Sequence, residues 1–330
     1  MCAKTAFLNP KLLAILLIMG KKTTWFILIN PQSGGGQGRK VWLEVQKTLK
    51  FAQIDYQYQF SSYMGELVSL AAKAVRDGYT HLVAMGGDGT INEVINGICQ
   101  ANENQNEEIT LAVIPVGTGN DFIRTHQIPN NAKKAALLLQ QGQSKSHDVG
   151  LVSYHNPKTN QQEQRYFINV AGLAYDAYVT HASMKKNLFM PRALHYYYLI
   201  MSCVMTYKSQ RAIIEYDGEK VEDTIFSIAV GNCRYNGGGG IFVPQAVPDD
   251  GLLGLTIIRQ VSVWDVISNS KHFYNGNISR HPQVSLHQAK SIHIQHVDTP
   301  IWLETDGEFL GQTPVTFSIL PNAIKVIVPL

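Results

Sequence analysis

The chain has 330 residues, of which 45% are apolar and 16% are charged, and its formal net charge is +3. This composition excludes a disordered or collagen-like chain, because it contains enough apolar material for packed cores. The length favours two domains over one. The 28 basic residues are scattered without a long basic run, so we expect no nucleic-acid partner.

The first 23 residues differ from the rest of the chain. An apolar run from Leu12 to Met19 lies between Lys11 and Lys21, is too short to span a bilayer and has no signal-peptide cleavage site. We interpret residues 1–23 as a tail, either an upstream start-site extension before Met19 or a weak membrane-associating segment. The sequence shows no transmembrane span elsewhere.

The cysteines Cys2, Cys99, Cys203 and Cys233 are far apart and form neither a C-x-x-C pair nor a disulfide framework. We expect reduced thiols that serve as small buried apolar residues.

Residues 24–148 alternate β-rich runs with helical patterns, which predicts a doubly wound α/β domain around a parallel sheet. The predicted strands are residues 25–30, 54–60, 81–85 and 110–114. Apolar spacing of i, i+3, i+4 predicts helices at residues 39–50, 65–77, 91–100 and 132–141. The ligand site of such a domain lies at the carboxyl ends of the strands.

Residues 149–319 contain short strands separated by turn sequences, which predicts a β-rich, mainly antiparallel domain. Two helical insertions are expected, at residues 188–205 and 263–275. The last strand, about 320–330, is a candidate to return to the first domain. The boundary near residue 148 rests on the change of pattern alone.

The first glycine-rich loop, residues 30–38, joins the end of the first strand to a helix. Free backbone N–H groups and a helix N-terminus make such a junction suited to phosphate. The loop is neither a P-loop nor a dinucleotide fingerprint. On spacing alone, a flexible glycine turn is an equally good interpretation.

The second loop, Gly86-Gly87-Asp88-Gly89-Thr90, follows the third strand. Its glycines let the backbone approach a ligand, while Asp88 and Thr90 offer a carboxylate and a hydroxyl. The next helix is predicted to begin at about Ile91, which places Asn92 and Glu93 in its first turn. A capped structural turn is the weaker alternative.

The third loop, residues 115–122, leaves the fourth strand in the same way and carries Thr118 and Asp121. The ends of the first, third and fourth strands therefore bear glycine-rich turns with polar side chains, which favours a shared phosphate ligand. In the second half, residues 244–251 place carboxylates and carbonyls on one turn, which suits a hard cation or an ordinary hairpin equally well. On spacing alone, Asp306-Gly307-Glu308 is a hairpin turn.

Five segments in order carry a family resemblance: Asn-Pro-x-Ser-Gly at 30–34, Gly-Gly-Asp-Gly-Thr-x-Asn-Glu at 86–93, Gly-Thr-x-Asn-Asp-Phe at 117–122, Asp-Asp-Gly at 249–251 and Asp-Gly-Glu at 306–308. The chain resembles the soluble bacterial diacylglycerol kinases, which are related to sphingosine kinases. The resemblance implies an N-terminal domain like those of phosphofructokinases and NAD kinases, a sandwich-like β-rich C-terminal domain, and an active site between them.

The resemblance also implies roles for individual residues. Asp306 would be the general base, with Glu308 beside it. Mg²⁺ would be held by the Asp250 carboxylate and the carbonyls of Val247 and Leu252, with a network reaching Asp88 and Asp121. The implied nucleotide contacts are Asn30, Pro31, Gln32, Ser33, Gly34, Ser61, Gly86, Gly87, Asp88, Gly89, Thr90, Ile91, Asn92, Glu93 and Thr118.

The implied activity is transfer of the γ-phosphoryl group of ATP to a lipid hydroxyl, foremost that of diacylglycerol, to give phosphatidic acid. We therefore expect a cytoplasmic enzyme that visits the inner face of the membrane transiently. The oligomeric state is left open, with a homodimer as one possibility. The mixture of Lys185, Lys186 and Arg192 with Leu188, Phe189, Met190, Tyr196 and Tyr197 is a candidate lipid-entry segment. The alternatives are an NAD kinase-like enzyme, whose downstream glycine-leucine-rich signature is missing here, and a non-catalytic nucleotide-binding regulator.

Overall fold

The computed structural model describes residues 24–103, 107–185 and 192–330. The tail at residues 1–23 lies outside the described residues. Residues 186–191 of the candidate lipid-entry segment also lie outside them. The side chains of the segment's remaining residues, Lys185, Arg192, Tyr196 and Tyr197, are not described. None of the helices in the described ranges is long and apolar enough to span a bilayer.

Four parallel strands form the sheet of the first half. They are β1 (Trp25–Ile29), β2 (Tyr56–Phe60), β3 (His81–Gly86) and β4 (Thr110–Pro115), in the spatial order β2-β1-β3-β4. The strands β1, β3 and β4 are almost entirely buried, because helices cover both faces of the sheet. This explains their continuous apolar sequences.

Helices cover the two faces of this sheet in pairs. Ile27 and Ile29 face one pair, while Leu28 between them faces the other, as the two-residue period of a strand requires. The first pair is Gly38–Phe51 and Ala132–Gln141, and the second is Glu66–Arg76 and Asp88–Asn102. A short helix, Asp121–Thr125, follows the third glycine loop.

The second half consists mainly of antiparallel strands. They are β5 (Gln143–Asn156), β6 (Gln161–Phe167), β7 (Val170–Ala174), β8 (Gln210–Tyr216), β9 (Glu219–Gly231), β10 (Tyr235–Asn236), β11 (Gly240–Ile241), β12 (Leu253–Arg259), β13 (Val284–Ala289), β14 (Ser291–His296), β15 (Trp302–Thr305) and β16 (Glu308–Val328). The helices Tyr175–Lys185, Arg192–Thr206 and Val263–Tyr274 share a separate apolar cluster, and a 3₁₀ turn lies at Ile278–Arg280.

Two long strands connect the halves. β16 pairs antiparallel with β5 along nearly its whole length, with register shifts, and its end pairs in parallel with β4 through Lys325 and Val326. The sheet is therefore continuous from β2 to the antiparallel half. The predicted boundary at residue 148 falls inside β5, and the division into two domains stays a prediction.

The predicted fold class, an α/β half followed by a β-rich antiparallel half, is confirmed. Two element predictions need correction. The helix after β3 begins at Asp88 rather than Ile91, so Asp88 occupies its first turn. The helix Tyr175–Lys185 was not predicted, because its apolar residues do not follow one helical face.

Candidate active site

The three glycine-rich loops meet at the carboxyl edge of the parallel sheet and contact each other backbone to backbone. A Cβ on Gly117 would lie 2.7 Å from the Gly87 Cα atom and 2.7 Å from the Asn120 Oδ1 atom. A Cβ on Gly34, which has φ of +62°, would lie 2.5 Å from the Val116 carbonyl oxygen. No side chain fits at Gly34 or Gly117, so the approach of the loops depends on glycine.

Hydrogen bonds join the first loop to the second. The Asn30 amide donates to the Thr90 hydroxyl at 3.1 Å, and the Ser33 hydroxyl lies 3.4 Å from the same oxygen. The Gln32 N–H donates to the Asn30 side chain at 2.9 Å. Thr90 is buried, so its hydroxyl holds the first loop in place from beneath.

Other members of the predicted nucleotide set lie around these bonds. Pro31 is buried, and its carbonyl carbon would be 2.9 Å from a Cβ on Gly38, so the chain turns tightly there. Ser61 is buried at the end of β2, and its N–H donates to the Ile29 carbonyl at 2.9 Å. A Cβ on Gly89 would lie 3.9 Å from the Glu308 Oε1 atom, at ordinary contact distance.

Asp88 and Asp121 bring two carboxylates to the second and third loops. The Phe122 N–H donates to the Asp88 Oδ1 atom at 3.0 Å, and the Gly238 N–H donates to the Asp121 Oδ2 atom at 2.8 Å. Asp121 Oδ1 is buried without a hydrogen bond, although Arg124 Nε lies 3.7 Å away. Burial raises the pKa of Asp121 to about 6, and the neighbouring charge of Asp88 adds to this effect.

Asp306 reaches the same edge from the second half. Asp306 lies in the turn between β15 and β16, and its backbone is in the left-handed region, with φ of +49°. The carboxylate accepts hydrogen bonds from the Asn92 side chain at 2.6 Å and from the backbone N–H groups of Ile168, Asn169 and Val170 at 3.1, 3.0 and 3.2 Å. Burial raises its pKa to about 6, against the opposing effect of these donors.

Arg165 hydrogen-bonds two residues next to Asp306, namely Asn92 and Glu308. Its guanidinium donates to the Asn92 Oδ1 atom at 2.7 Å and to the Glu308 carboxylate at 3.0 Å. The Asn92 amide therefore has its oxygen satisfied by Arg165 and its nitrogen directed at Asp306. This arrangement fixes the position of the Asp306 carboxylate from the side of the first half.

A cavity of about 820 Å³ adjoins these loops. Its polar end is lined by Asp88, Thr118, Gly119, Asp121 and Asp306, and it continues between the three helices of the second half. The walls of that deeper chamber are mainly apolar and include Val179, Ile200, Phe226, Ile258, Val266 and Phe273. The cavity thus joins a polar edge to an apolar chamber.

Two carboxyl groups, the half-buried Asp176 and the buried Glu304, lie where the polar edge meets the chamber. They are neighbours, because a Cβ on Gly172 would contact both side chains. Burial raises the pKa of Asp176 to about 7, and burial together with the charge of Asp176 raises that of Glu304 well above its ordinary value. We expect the pair to hold at least one proton at neutral pH.

Comparison with known families identifies both halves. Residues 24–152 match the diacylglycerol kinase catalytic domain, and residues 169–328 match the YegS C-terminal NAD kinase beta sandwich-like domain. Together the matches cover most of the chain, including all three loops and Asp306. The chain belongs to the diacylglycerol kinase family. It is a kinase of the lipid kinase class, and kinases take a nucleotide as phosphoryl donor.

Individual relatives align over nearly the whole chain of this family member. A diacylglycerol kinase from Staphylococcus aureus is 29% identical over 92% of this chain and 91% of its own length. One from Staphylococcus carnosus is 28% identical over 92% and 94%. The crystal structure of a diacylglycerol kinase from Bacillus anthracis is 25% identical, covers 93% of this chain and 97% of its own, and superimposes with a TM-score of 0.69.

In this lipid kinase, not all members of the 86–93 motif face the cleft. Asn92 is buried and reaches the cleft only through its hydrogen bond to Asp306, and Ile91 packs in the core of the first half. Glu93 is buried and accepts a hydrogen bond from the Leu67 N–H at 3.2 Å, so it caps the helix Glu66–Arg76. Burial raises the pKa of Glu93. Its carboxylate is therefore directed away from the loops, whereas the sequence prediction directed it toward them.

The predicted metal turn is held in place by Asp148 rather than by Asp250. Asp250 is exposed, and its carboxylate accepts hydrogen bonds from the Leu252 N–H and the Gln288 amide, both at 3.0 Å. Buried Asp148 instead accepts from the N–H groups of Gly251 and Asn322, both at 2.7 Å. The carbonyls of Val247 and Leu252 lie in the same turn, and their assignment to a metal stays a prediction.

Several site residues were missed by sequence reasoning. Arg165 and Glu304 lie in strands, Asn169 lies between two strands and Asp176 lies in the first turn of a helix, none of them in a glycine-rich motif. A run of apolar residues flanking Asn169 could have indicated a buried polar position. For Arg165 the sequence offers no signal, because its partners are distant along the chain.

Proposed function

We propose that this protein transfers the γ-phosphoryl group of ATP to the free hydroxyl of diacylglycerol, producing phosphatidic acid and ADP. The observation that carries the proposal is one continuous cavity, in which Asp306 lies between the glycine-rich loops and an apolar chamber. A nucleotide and an apolar acceptor would therefore meet beside one carboxylate. Its volume is near the upper end of the roughly 300–1,000 Å³ typical of small-molecule sites.

The loops supply the nucleotide side of the reaction. Gly87 precedes the first turn of the helix Asp88–Asn102, so unpaired backbone N–H groups and the positive end of the helix dipole face the loop edge. Phosphoryl transfer depends mainly on holding the phosphates in position, and rigid backbone donors do so without reorganisation. The Asn30–Thr90 bond and the Gly87–Gly117 contact give the loops this rigidity.

Asp306 supplies the base. With a pKa of about 6 its carboxylate is ionised at neutral pH, and it remains a stronger base than an exposed aspartate. As the lipid oxygen forms its bond to the γ-phosphorus, the bond from that phosphorus to the β–γ bridging oxygen breaks and ADP leaves. The proton of the hydroxyl moves to Asp306. Four hydrogen-bond donors keep the carboxylate oriented for this transfer.

The pair Asp88 and Asp121 fits a hard cation. Asp121 Oδ1 is buried without a hydrogen-bond partner, and the repulsion between the two carboxylates would be relieved by a positive ion. We propose that these carboxylates hold a Mg²⁺ ion that enters with the nucleotide. When bound, Mg²⁺ neutralises phosphate charge. The carboxylate of Asp250, to which the family resemblance assigns Mg²⁺, already accepts hydrogen bonds from protein donors.

The apolar chamber would hold the acyl chains, since its walls are mainly apolar. The protonated member of the Asp176–Glu304 pair could donate a hydrogen bond to an ester carbonyl at the chamber entrance. Trp264, at the start of the helix Val263–Tyr274, is 78% exposed and adjoins the chamber-lining residues Asp265 and Val266. We propose that this helix docks on the cytoplasmic face of the membrane while the lipid enters.

The test is product identification with γ-labelled ATP and diacylglycerol in mixed micelles. We expect label in phosphatidic acid. The matched control is a diacylglycerol analogue whose free hydroxyl is methylated, which should bind the chamber but receive no label. Absence of labelled lipid with diacylglycerol, while another lipid alcohol is labelled, would refute the acceptor and keep the kinase.

A further inference from the structure

Behind the third glycine loop, three side chains that bind transition metals lie together: His126, His147 and Cys233. One ligand atom from each lies within 4.8 Å of the others, and the His147 Nε2 atom is 3.8 Å from the Cys233 Sγ atom. A tetrahedral zinc ion, with Zn–S of about 2.3 Å and Zn–N of about 2.0–2.1 Å, separates such atoms by about 3.6 Å. Across the described residues, this is the cluster of three metal-binding side chains that the structure contains.

The ring of His147 is oriented as in metal sites. Its Nδ1 atom bonds the Asp148 carbonyl oxygen, which can only accept, so Nδ1 carries the hydrogen and Nε2 presents a lone pair. Nε2 is the atom that faces Cys233. Metal-bound histidines usually donate their second ring N–H to a carbonyl or carboxylate in this way. The Asn232 amide donates to the same carbonyl at 2.6 Å and holds it in place.

Polar atoms around the cluster lack partners. The His126 Nε2 and Asn232 Oδ1 atoms are buried without a hydrogen bond to any described residue. Such atoms are uncommon in folded proteins because each loses its bond to water. The Phe122 ring, whose centroid is 4.5 Å from that of His126 and 5.5 Å from that of His147, shields the cluster. An ion with one water ligand would give these atoms partners.

The ligand chemistry favours zinc. Two imidazoles and one thiolate are soft and borderline donors that suit Zn²⁺ and do not suit Mg²⁺ or Ca²⁺. On binding, the Cys233 S–H bond breaks, the Zn–S bond forms and the proton leaves to solvent. The resulting positive charge would face the negative charges of Asp88 and Asp306, whose field reaches Cys233.

We propose that His126, His147 and Cys233 bind one Zn²⁺ ion, with water in the fourth position. This inference goes beyond the proposed function, which gives none of the three residues a contact with ATP or with the lipid. The ion would join the end of the helix Asp121–Thr125 to β5 and to the segment after β9. It would thereby fix the third glycine loop against the β-rich half.

The first test is metal content. The full-length chain, purified without a histidine tag from zinc-supplied cells, should carry about one zinc per chain. Cys233→Ala should weaken zinc binding by about a hundredfold or more. Cys99→Ala is the matched control, because Cys99 is a buried free cysteine in the core of the first half, and it should keep full zinc content. Zinc-free wild-type protein, or equal zinc in Cys233→Ala, would overturn the proposal.

A second test remains informative if Cys233→Ala does not fold. His126→Leu removes an imidazole whose Nε2 has no partner, so the variant should fold. Added zinc should raise the melting temperature of the wild type and leave that of His126→Leu unchanged. In wild-type protein, Co²⁺ should give thiolate-to-cobalt charge-transfer absorption. Equal melting shifts in both proteins, or a cobalt spectrum without thiolate absorption, would contradict the site. Neither readout depends on kinase activity.

Discussion

At the glycine-loop end of the cavity, contacts are made by backbone atoms and short side chains within a few residues of a strand end. At the chamber end, the walls come from three helices and several strands spread from Tyr175 to Val284. At Gly34 and Gly117 the loop end has no room for an added atom, whereas the chamber is open space. In the proposed function, the rigid end would position the phosphates and the open end would accommodate the acyl chains.

The largest effect should come from Asp306, where the two ends meet. Asp306→Asn should lower kcat by about 10²–10⁴-fold, the usual contribution of a general base, with little change in the KM for ATP. Asp217→Asn is the matched control. Asp217 also precedes a glycine in a positive-φ hairpin turn and accepts backbone N–H groups, those of Lys290 and Ser291. Steady-state kinetics of both variants decides; equal activity would remove Asp306 from the role of base.

Gly117→Ala should impair the loop end. Its Cβ would push the second and third loops apart, so we expect kcat/KM for ATP to fall by about a hundredfold, as a misplacement of about 1 Å can cause. Gly78→Ala serves as the control, because Gly78 has φ of +90° but open space around its Cβ position. That variant carries backbone strain without a clash. If both variants lose ATP affinity equally, strain rather than loop contact is responsible.

The pH profile tests the ionisation of Asp306. Burial raises its pKa to about 6, and the base acts when ionised, so kcat/KM should be level above that pH and fall about tenfold per unit below it. Asp121 has a similarly raised pKa. In Asp121→Asn, whose activity is expected to be lower, the acidic limb should persist. Loss of the limb in that variant would assign it to Asp121 instead.

A charge placed in the chamber should weaken binding of the lipid and leave binding of ATP unchanged. Val266→Asp places a carboxylate on the chamber wall, which should raise the KM for diacylglycerol by about tenfold and leave the KM for ATP unchanged. Val297→Asp, at a valine that is 37% exposed, is the control and should behave as wild type. An equal rise in both KM values for Val266→Asp would indicate general damage to the fold.

The smallest effect should be on membrane docking. Trp264→Ala removes an exposed indole beside the chamber and should lower partitioning onto anionic vesicles by about threefold to tenfold. Phe51→Ala is the matched control, since Phe51 is 92% exposed at the end of a helix in the other half. Vesicle cosedimentation measures both. Equal losses would place the docking surface elsewhere.

The contrast between the two ends also decides what the sequence could reveal. Glycine and short polar residues after apolar runs identified the loops around Gly34, Gly87 and Gly117, because local chain geometry requires them there. The helix start at Asp88 was placed three residues late, since glycines disfavour helices and conceal a first turn held by Phe122. Glu93 was assigned to the cleft, although its partner Leu67 lies on another helix.

The chamber could not be predicted, because its walls depend on which strands pair. The pairing of β16 with both β5 and β4 places Asp306 opposite Asn92, and nothing local in either segment indicates that contact. The cluster of His126, His147 and Cys233 was hidden for the same reason. Cys233 alone predicted only a buried thiol.

The most direct measurement is a competition experiment in one tube, with γ-labelled ATP, diacylglycerol in micelles and NAD at equal concentration. A cavity that joins the glycine loops to an apolar chamber predicts label in phosphatidic acid and none in a phosphorylated dinucleotide. Label in NAD, with the lipid unlabelled, would contradict the assignment of the chamber to an acyl acceptor.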